Sequence, residues 1–425
     1  MSEKTTRNIL VSAIACSPYL GSEDGVGWHW TAELEGMGNR LTVITRTRFK
    51  ADIERYVAAN PSIKTRFVYV DLLTGIDFTG NPSLPSYAYI YLWQLLAFFT
   101  AKKLVKQEQF DVVHHVTFAG IRLPSFMGGL GIPFIFGPVG GGEETPPKLL
   151  ASFPFKPKLK ECLRWLSNRA VRFDPFMRYT LSSATVIGLT TKDSIGVIPE
   201  RYRHKVVVCS TIGVEALPSA SAPTTGDDIV VLYAGRFIFW KGMQLGIQAF
   251  AKARQHNPAL RLVMVGEGPA KQQWQEIAER CGVKDHITWL TWVPKTELNQ
   301  LYQDSSLFLF PSLHDSGGMV VLEAASNALP VVCLDIGGPG EMVTSDIGAK
   351  IPVAGASEQE VIDRLAQALT DVTADRASLT ALGAAARQWS TQQSWAAKVT
   401  EFYALCEKHL KPAKGVPTLE VARKS

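Results

Sequence analysis

Short apolar runs alternate with stretches of helical periodicity along the whole chain. In the first half the runs are residues 9–16, 41–46, 65–70, 111–115, 133–136 and 184–189; in the second they are 229–235, 260–266, 287–290, 307–311 and 330–334. Apolar runs without polar alternation are the signature of strands buried on both faces. Helical stretches between them predict βαβ units and parallel sheets. One segment, residues 219–228, is rich in Ser, Ala, Pro, Thr, Gly and Asp and has no apolar periodicity, which marks a linker. The pattern predicts an α/β protein of two Rossmann-like, doubly wound parallel-sheet domains. The first is expected over 1–218 and the second over 219–393. A final helix near 394–410 is expected to pack back on the first domain, before a polar tail to 425. Such sheets bind ligands at the carboxyl ends of their strands, so two facing domains predict a cleft between them.

Length and composition agree with this division. A chain of 425 residues suits two domains of about 200 residues each. Hydrophobic residues make up 46% and charged residues 20%, a globular and not a disordered composition. The net charge of +5 fits an anionic partner such as a nucleotide, a phosphorylated substrate or a phospholipid surface, and does not call for nucleic acid. Cysteines at 16, 162, 209, 281, 333 and 406 form no CxxC or zinc spacing, which points to reduced thiols and a cytoplasmic location. The first residues, MSEKTTRNIL, lack the apolar core of a signal peptide, and the run 9–16 reads better as a buried strand. The longest apolar stretch, 87–101, contains Gln94 and is too short to span a bilayer.

Three features carry chemistry. The loop 17–27 (SPYLGSEDGVG) joins the first strand to a helix starting near Trp28. Glycines at 21, 25 and 27 there allow backbone N–H groups to approach an oxyanion at a helix N-terminus. The spacing is not GxGxxG, and a plain tight turn is the competing reading. In the segment 235–242 (GRFIFWKG), Arg236 and Lys241 directly follow a buried strand. Two cations there suit a diphosphate that gains charge as its bond to a sugar breaks; two solvated surface cations are the alternative. In the segment 311–330 (PSLHDSGGMVVLEAASNALP), Asp315 lies in a glycine loop with Gly317 and Gly318, and Glu323 stands eight residues on inside an apolar helical run. Asp315 can accept from sugar hydroxyls or cap the helix. Glu323 can clasp a ribose diol, and a carboxylate in so apolar a run requires a partner.

The stretch from Asp315 to Glu323 resembles the E-x7-E motif of family 4 retaining glycosyltransferases (glycosyl transferase group 1), of GT-B fold. The segment 235–242 resembles that family's donor-phosphate segment, 265–269 (VGEGP) its Gly-x-Gly turn, and 335–341 (DIGGPGE) its late glycine loop. The loop around Gly21 and the run 111–115 (DVVHH) are similar to family segments more loosely. The resemblance implies that Arg236 and Lys241 bind the diphosphate and act in catalysis, and that Glu323 holds the ribose. It implies that Asp315, Gly317, Gly318 and Met319 hold the transferred sugar, and that Gly266 and Gly268 complete the donor site. It places a histidine, His114 or His115, at the reaction centre, and the loop Gly21, Ser22, Glu23 and Gly25 against phosphate or acceptor. Two departures stand out. Asp315 is one methylene shorter than the usual acid. His114 and His115 are adjacent and so point to opposite faces of a strand, with His114 slightly favoured for the site.

The implied reaction moves a sugar from a nucleoside diphosphate to an acceptor hydroxyl with retention, and the setting expected by analogy is polysaccharide or lipid-linked glycan assembly. No cofactor and no metal are expected: there is no Asp-x-Asp motif, and Arg236, Lys241 and helix N-termini can stabilise the leaving group. The partners expected are the nucleotide-sugar donor, a glycan or lipid-linked acceptor and an anionic membrane surface, with no nucleic acid. The membrane expectation rests on two segments. Residues 87–106 are aromatic and end in Lys102, Lys103 and Lys106. Residues 146–180 carry eight basic residues against Glu161 and Asp174, interleaved with Leu149, Leu150, Phe153, Phe155, Leu163, Trp165, Leu166 and Phe176. A solvated basic face on a core helix is the plainer alternative. A nucleotide-sugar epimerase and a noncatalytic glycan- or nucleotide-binding scaffold remain rival functions. A dinucleotide oxidoreductase is disfavoured, because 265–269 lacks the third glycine of that fingerprint.

Overall fold

The computed structural model describes residues 6–72, 87–215 and 228–410. Most of the linker 219–228 and the tail beyond 410 lie outside the described residues. Two all-parallel sheets form the frame. The first has seven strands: β1 (Asn8–Ala13), β2 (Arg40–Thr45), β3 (Arg66–Tyr69), β4 (Val112–Thr117), β5 (Phe134–Val139), β6 (Val186–Leu189) and β7 (Val206–Val208), in the order β3-β2-β1-β4-β5-β6-β7. The second has six: β8 (Ile229–Ala234), β9 (Leu260–Val265), β10 (Ile287–Leu290), β11 (Leu307–Phe310), β12 (Val331–Leu334) and β13 (Gly348–Ile351), in the order β10-β9-β8-β11-β12-β13.

The strand runs read from the sequence coincide with these strands to within a few residues. The edge strands β7 and β13 went unread: β7 is apolar throughout but only three residues long, and β13 is four residues long with a glycine and a lysine in it. In each sheet the winding reverses beside the first strand, between β1 and β4 and between β8 and β11. A ligand crevice opens at such a switch point. The loops after β1, β4, β8 and β11 are therefore the ones that meet at the cleft.

The first sheet is covered on both faces. Helix Ser22–Gly36 and helix Trp395–Cys406 bury one face, and helix Tyr87–Leu104 with its neighbours buries the other. Helix Trp395–Cys406 follows the second sheet in the chain, yet it places Val399, Phe402, Tyr403 and Cys406 in the core of the first domain. Val214 and Ser394 form an isolated β-bridge where the chain crosses twice between domains. In the opposite sense, Leu149, Leu150 and Phe153 belong to the core of the second domain, with the Phe153 ring 5.9 Å from that of Phe239. These three residues are thus not part of a membrane-facing surface, contrary to the sequence reading. They are plugs that tie the first domain into the second.

Candidate active site

Three loop tips of the first sheet are stitched together on the cleft side. Glu23 accepts from the backbone N–H of Ala119 (2.6 Å), and Gly140 donates to the Ala119 carbonyl (2.8 Å). Gly120 and Gly140 form an isolated bridge. Burial pushes the Glu23 carboxyl up to about 7, against the pull of its Ala119 hydrogen bond. Glu23 thus helps to hold the loop after β4. Gly25 and Gly27 are packing positions as well, because a side chain would collide with the carbonyls of Leu20 and Ala15. Gly21 alone of the three faces open space. Ser22 starts its helix with φ 54°, a left-handed conformation that costs a non-glycine residue about 1–2 kcal/mol.

The two histidines do not reach the cleft, which corrects the expectation from the sequence. Both are fully buried. His114 donates from Nε2 to the Gly137 carbonyl (2.6 Å), and its Nδ1 accepts from the Tyr403 hydroxyl (2.9 Å). Its ring packs against Phe402 and Trp30. With both nitrogens satisfied in an apolar setting it is a core residue, and burial pulls its pKa down to about 3. His115 points to the opposite face, against Phe136, with Nε2 donating to the Phe118 carbonyl at 3.3 Å. The strand alternation was read correctly; what it could not show is that helices cover both faces at this depth.

The second domain supplies the other wall. Lys241 ion-pairs with Asp315 Oδ2 and lies 4.7 Å from the Phe310 ring centre. Asp315 Oδ1 accepts from Gly317 N (3.2 Å) and Gly318 N (3.0 Å), and its carbonyl accepts from Gly338 N (2.8 Å). Burial works against the Asp315 carboxylate, but Lys241 and the two amides outweigh it and hold its pKa below the usual range. Asp315, Gly317, Gly318, Lys241 and the late glycine loop are thus brought together. Arg236 is exposed on the loop after β8, next to this cluster in sequence. Gly266 and Gly268 have φ of 142° and 152°, and a side chain at either would meet the carbonyls of Gly235 and Phe237 at 2.0 and 2.4 Å. They seat the Arg236 loop closely on its neighbour.

Glu323 faces a cavity of about 100 Å³ whose lining includes Gly21, Ser22, Gly25, Met319 and Lys295. It accepts from the Tyr302 hydroxyl (3.3 Å), which is the partner its apolar run required. Burial raises the Glu323 pKa against the pull of Lys295 and Tyr302. Lys295 was missed in the sequence; it starts a helix of low apolar content, with no motif around it. A second cavity of about 640 Å³ lies between the domains and shares no lining residue with the first. Gly142, Glu144, Arg169, Arg172 and Asp193 line one side, and Asp335, Ile336 and residues 352–354 the other.

Also missed was the loop after β5, PVGGGEE (residues 138–144). Its signal was available: three consecutive glycines at the carboxyl end of an apolar run. Gly141 N donates to Ser316 Oγ (2.7 Å), and Ser316 Oγ donates to the buried Glu143 (2.5 Å). On the same seam Gly337 N donates to Asp193 (2.8 Å), and buried His314 and Glu161 pair at 3.1 Å. Among the described residues no group of three or more His, Cys, Asp or Glu side chains is placed to hold a metal ion. No helix among them is long and apolar enough to cross a membrane.

Comparison with known proteins bears on this site. Residues 218–389 match the family Glycosyl transferases group 1. A GDP-mannose-dependent alpha-(1-6)-phosphatidylinositol monomannoside mannosyltransferase of Mycobacterium tuberculosis is 31% identical over 188 residues, which is 42% of this chain and 48% of the relative. A D-inositol 3-phosphate glycosyltransferase of Corynebacterium aurimucosum is 31% identical over 40% of this chain and 41% of its own length. The chain thus spans about half the length of the curated relatives it matches. Among solved structures, Anabaena HepE in complex with UDP superposes with a TM-score of 0.58 at 15% identity, over 95% of this chain and 100% of that one. Sucrose-phosphate synthase from Thermosynechococcus elongatus gives the same TM-score over 95% and 98% of the two chains. Residues 218–389 are therefore similar to the Glycosyl transferases group 1 domain, and the chain as a whole has the two-domain GT-B fold.

Proposed function

We propose that this chain is a retaining, metal-independent hexosyltransferase of the family 4 type. It moves a sugar from a nucleoside diphosphate to a hydroxyl of a glycan or lipid-linked acceptor. The observation that carries the proposal is the cluster of Lys241, Asp315, Gly317 and Gly318, with Glu323 on the helix that follows and facing a cavity between the domains. Arg236 and Lys241 neutralise the diphosphate as it leaves, which is the largest electrostatic demand of the reaction. Lys241 turns from Asp315 to the phosphates when the donor binds, and Asp315 is then free to accept from sugar hydroxyls. Two cations in these positions supply the charge that a divalent ion would otherwise provide. The relatives named for GDP-mannose make it the first donor to try.

The test is a thermal-shift screen in excess EDTA, with UDP, GDP, ADP and the matching sugar nucleotides, on wild type and Glu323→Ala. A ligand that binds only the native state raises the melting temperature by mass action. One nucleotide series is expected to raise wild type by several degrees and to lose most of that effect in the variant. Stabilisation that appears only on adding magnesium or manganese would overturn metal independence. Stabilisation equal in both proteins would overturn the role of Glu323, and none at all would favour the scaffold reading.

The acceptor enters through the 640 Å³ cavity, where Arg169, Arg172, Glu144 and Asp335 can bond hydroxyl groups. Helix Phe155–Ala170, which carries Arg169 near its C-terminus, exposes apolar residues along its length and just beyond it, among them Phe155 (78%), Leu166 (58%) and Phe173 (76%), with exposed Lys156, Lys158, Lys160 and Arg172 between them. This face rests on an anionic inner membrane surface beside a lipid-linked acceptor. Sedimentation with phosphatidylglycerol vesicles at low salt is expected to pellet the protein, and Phe155→Glu/Phe173→Glu to leave it soluble. No pelleting of wild type at low salt would remove the membrane from this reading.

A further inference from the structure

Glu143 is a fully buried carboxylate that takes no part in either cavity described above. It is saturated with donors. Thr191 and Ser194 hydroxyls donate to Oε1 at 2.6 and 3.0 Å, and Gly141 N donates to Oε2 at 2.9 Å. Arg164 stands 3.8 Å from Oε2 and also donates to the Glu143 and Gly141 carbonyls. The remaining donor comes from the other domain: Ser316 Oγ, at 2.5 Å. Ser316 in turn accepts from Gly141 N, so its hydroxyl is held from both directions.

The surroundings are shaped for this contact. A side chain on Gly140 would sit 2.5 Å from the Ser316 Cβ, and one on Gly142 would sit 2.7 Å from the Ser194 hydroxyl. The run of glycines lets the first domain's backbone close onto one serine of the second. That serine lies between Asp315, which holds Lys241, and Gly317, whose amide holds Asp315. A charge-assisted hydrogen bond in a buried setting is among the stronger single contacts available to a protein.

We infer that Glu143 is a positioning residue: it acts through Ser316 to fix the Asp315–Gly318 loop in its donor-ready form, and so couples that loop to closure of the two domains. The inference rests on the transferase reading for its catalytic consequence, but not for its structural one. In wild type the ties within the second domain hold Asp315 at all times, and the Ser316 contact adds its hold only while the domains are closed. Opening the cleft releases Ser316 and so loosens the segment that presents Asp315 and the Gly317 and Gly318 amides.

The test uses the full chain and Ser316→Ala, with Glu143→Gln and the double variant alongside. Amide hydrogen exchange is followed in peptides covering residues 138–145, 313–319 and 335–341. Ser316→Ala is expected to speed exchange roughly tenfold in all three, because a lost charge-assisted bond frees both sides of the seam. Faster exchange confined to 138–145, where Gly141 loses one of its two acceptors, would overturn the inference. In steady-state assays with the donor found above, Ser316→Ala is expected to raise donor KM roughly tenfold and to leave the affinity for the free nucleoside diphosphate within about twofold. Equal weakening of both would mean general loosening and would also overturn it. The double variant should be no worse than Glu143→Gln, since the two residues act in one contact; full additivity would count against the coupling. If wild type uses no donor at all, the transferase reading fails, and the exchange experiment still decides whether the latch exists.

Discussion

The two walls of the cleft are built in different ways. The second domain's wall is assembled from segments that anchor one another within that domain: Lys241 on Asp315, Asp315 on Gly317, Gly318 and Gly338, and Gly266 and Gly268 under the Arg236 loop. The first domain's wall is stitched from three separate loop tips, through Glu23, Ala119, Gly140 and Glu143, and it leans on the second domain through Ser316 and the Leu149–Phe153 plug. One wall carries most of its own anchors and takes a single further hold, through Ser316, from across the cleft; the other depends far more on its counterpart. A binding surface that is set before its ligand arrives wastes no ordering free energy on binding, whereas a conditional surface can report whether its counterpart is in place.

The sharpest way to break this comparison is to pull the plug. Phe153→Ala removes a ring from the core of a domain to which it does not belong by chain position. It is expected to cost about 3–4 kcal/mol in urea unfolding and to split a single transition into two, as the first domain loses its purchase on the second. A cost below about 1 kcal/mol, with one transition kept, would show the plug to be peripheral. A smaller effect sharpens the comparison at Glu23. A carboxyl with a higher pKa folded than unfolded holds its proton more tightly when folded, so folded wild type loses ground as pH rises from the ordinary 4.5 to about 7. Glu23→Gln removes that penalty. It should be more stable than wild type by about 1–2 kcal/mol at pH 8, after allowance for partial exposure, and equal to it near pH 4.5. His114 and His115 act in the other direction, with pKa values pulled down to about 3 and 4, so their contribution is lost as pH falls below the ordinary 6.5. A Glu23→Gln advantage that grows toward acid would contradict the burial of this carboxyl.

The same asymmetry explains what could be read without coordinates. The strand runs, the two-sheet architecture and the grouping of Lys241, Asp315 and the glycines were legible, because each lies within a short segment whose spacing is tied to a strand and the helix after it. The histidines misled, because a strand's alternation gives the side of the sheet but not what covers it, and both sides of β4 are covered. Glu143 and Ser316 were illegible for another reason. They are far apart in the chain and meet only across the domain seam, so no local spacing records them. The plugs hid in plain composition: Leu149, Leu150 and Phe153 are apolar in a basic segment, which suits a membrane face as well as it suits a foreign core.

The helix Trp395–Cys406 gives the fold an unusual history in time. The ribosome delivers the first sheet and most of its cover early, but the helix that seals one face, with Phe402, Tyr403 and Cys406, is translated only after the entire second domain. Throughout that interval Trp30, His114 and their neighbours border a gap where Phe402 and Tyr403 will lie. A nascent chain with such an open seam is a natural client for holding chaperones. Any truncation that removes residues 395–406 therefore damages the first domain to be made, while leaving the core of the second untouched.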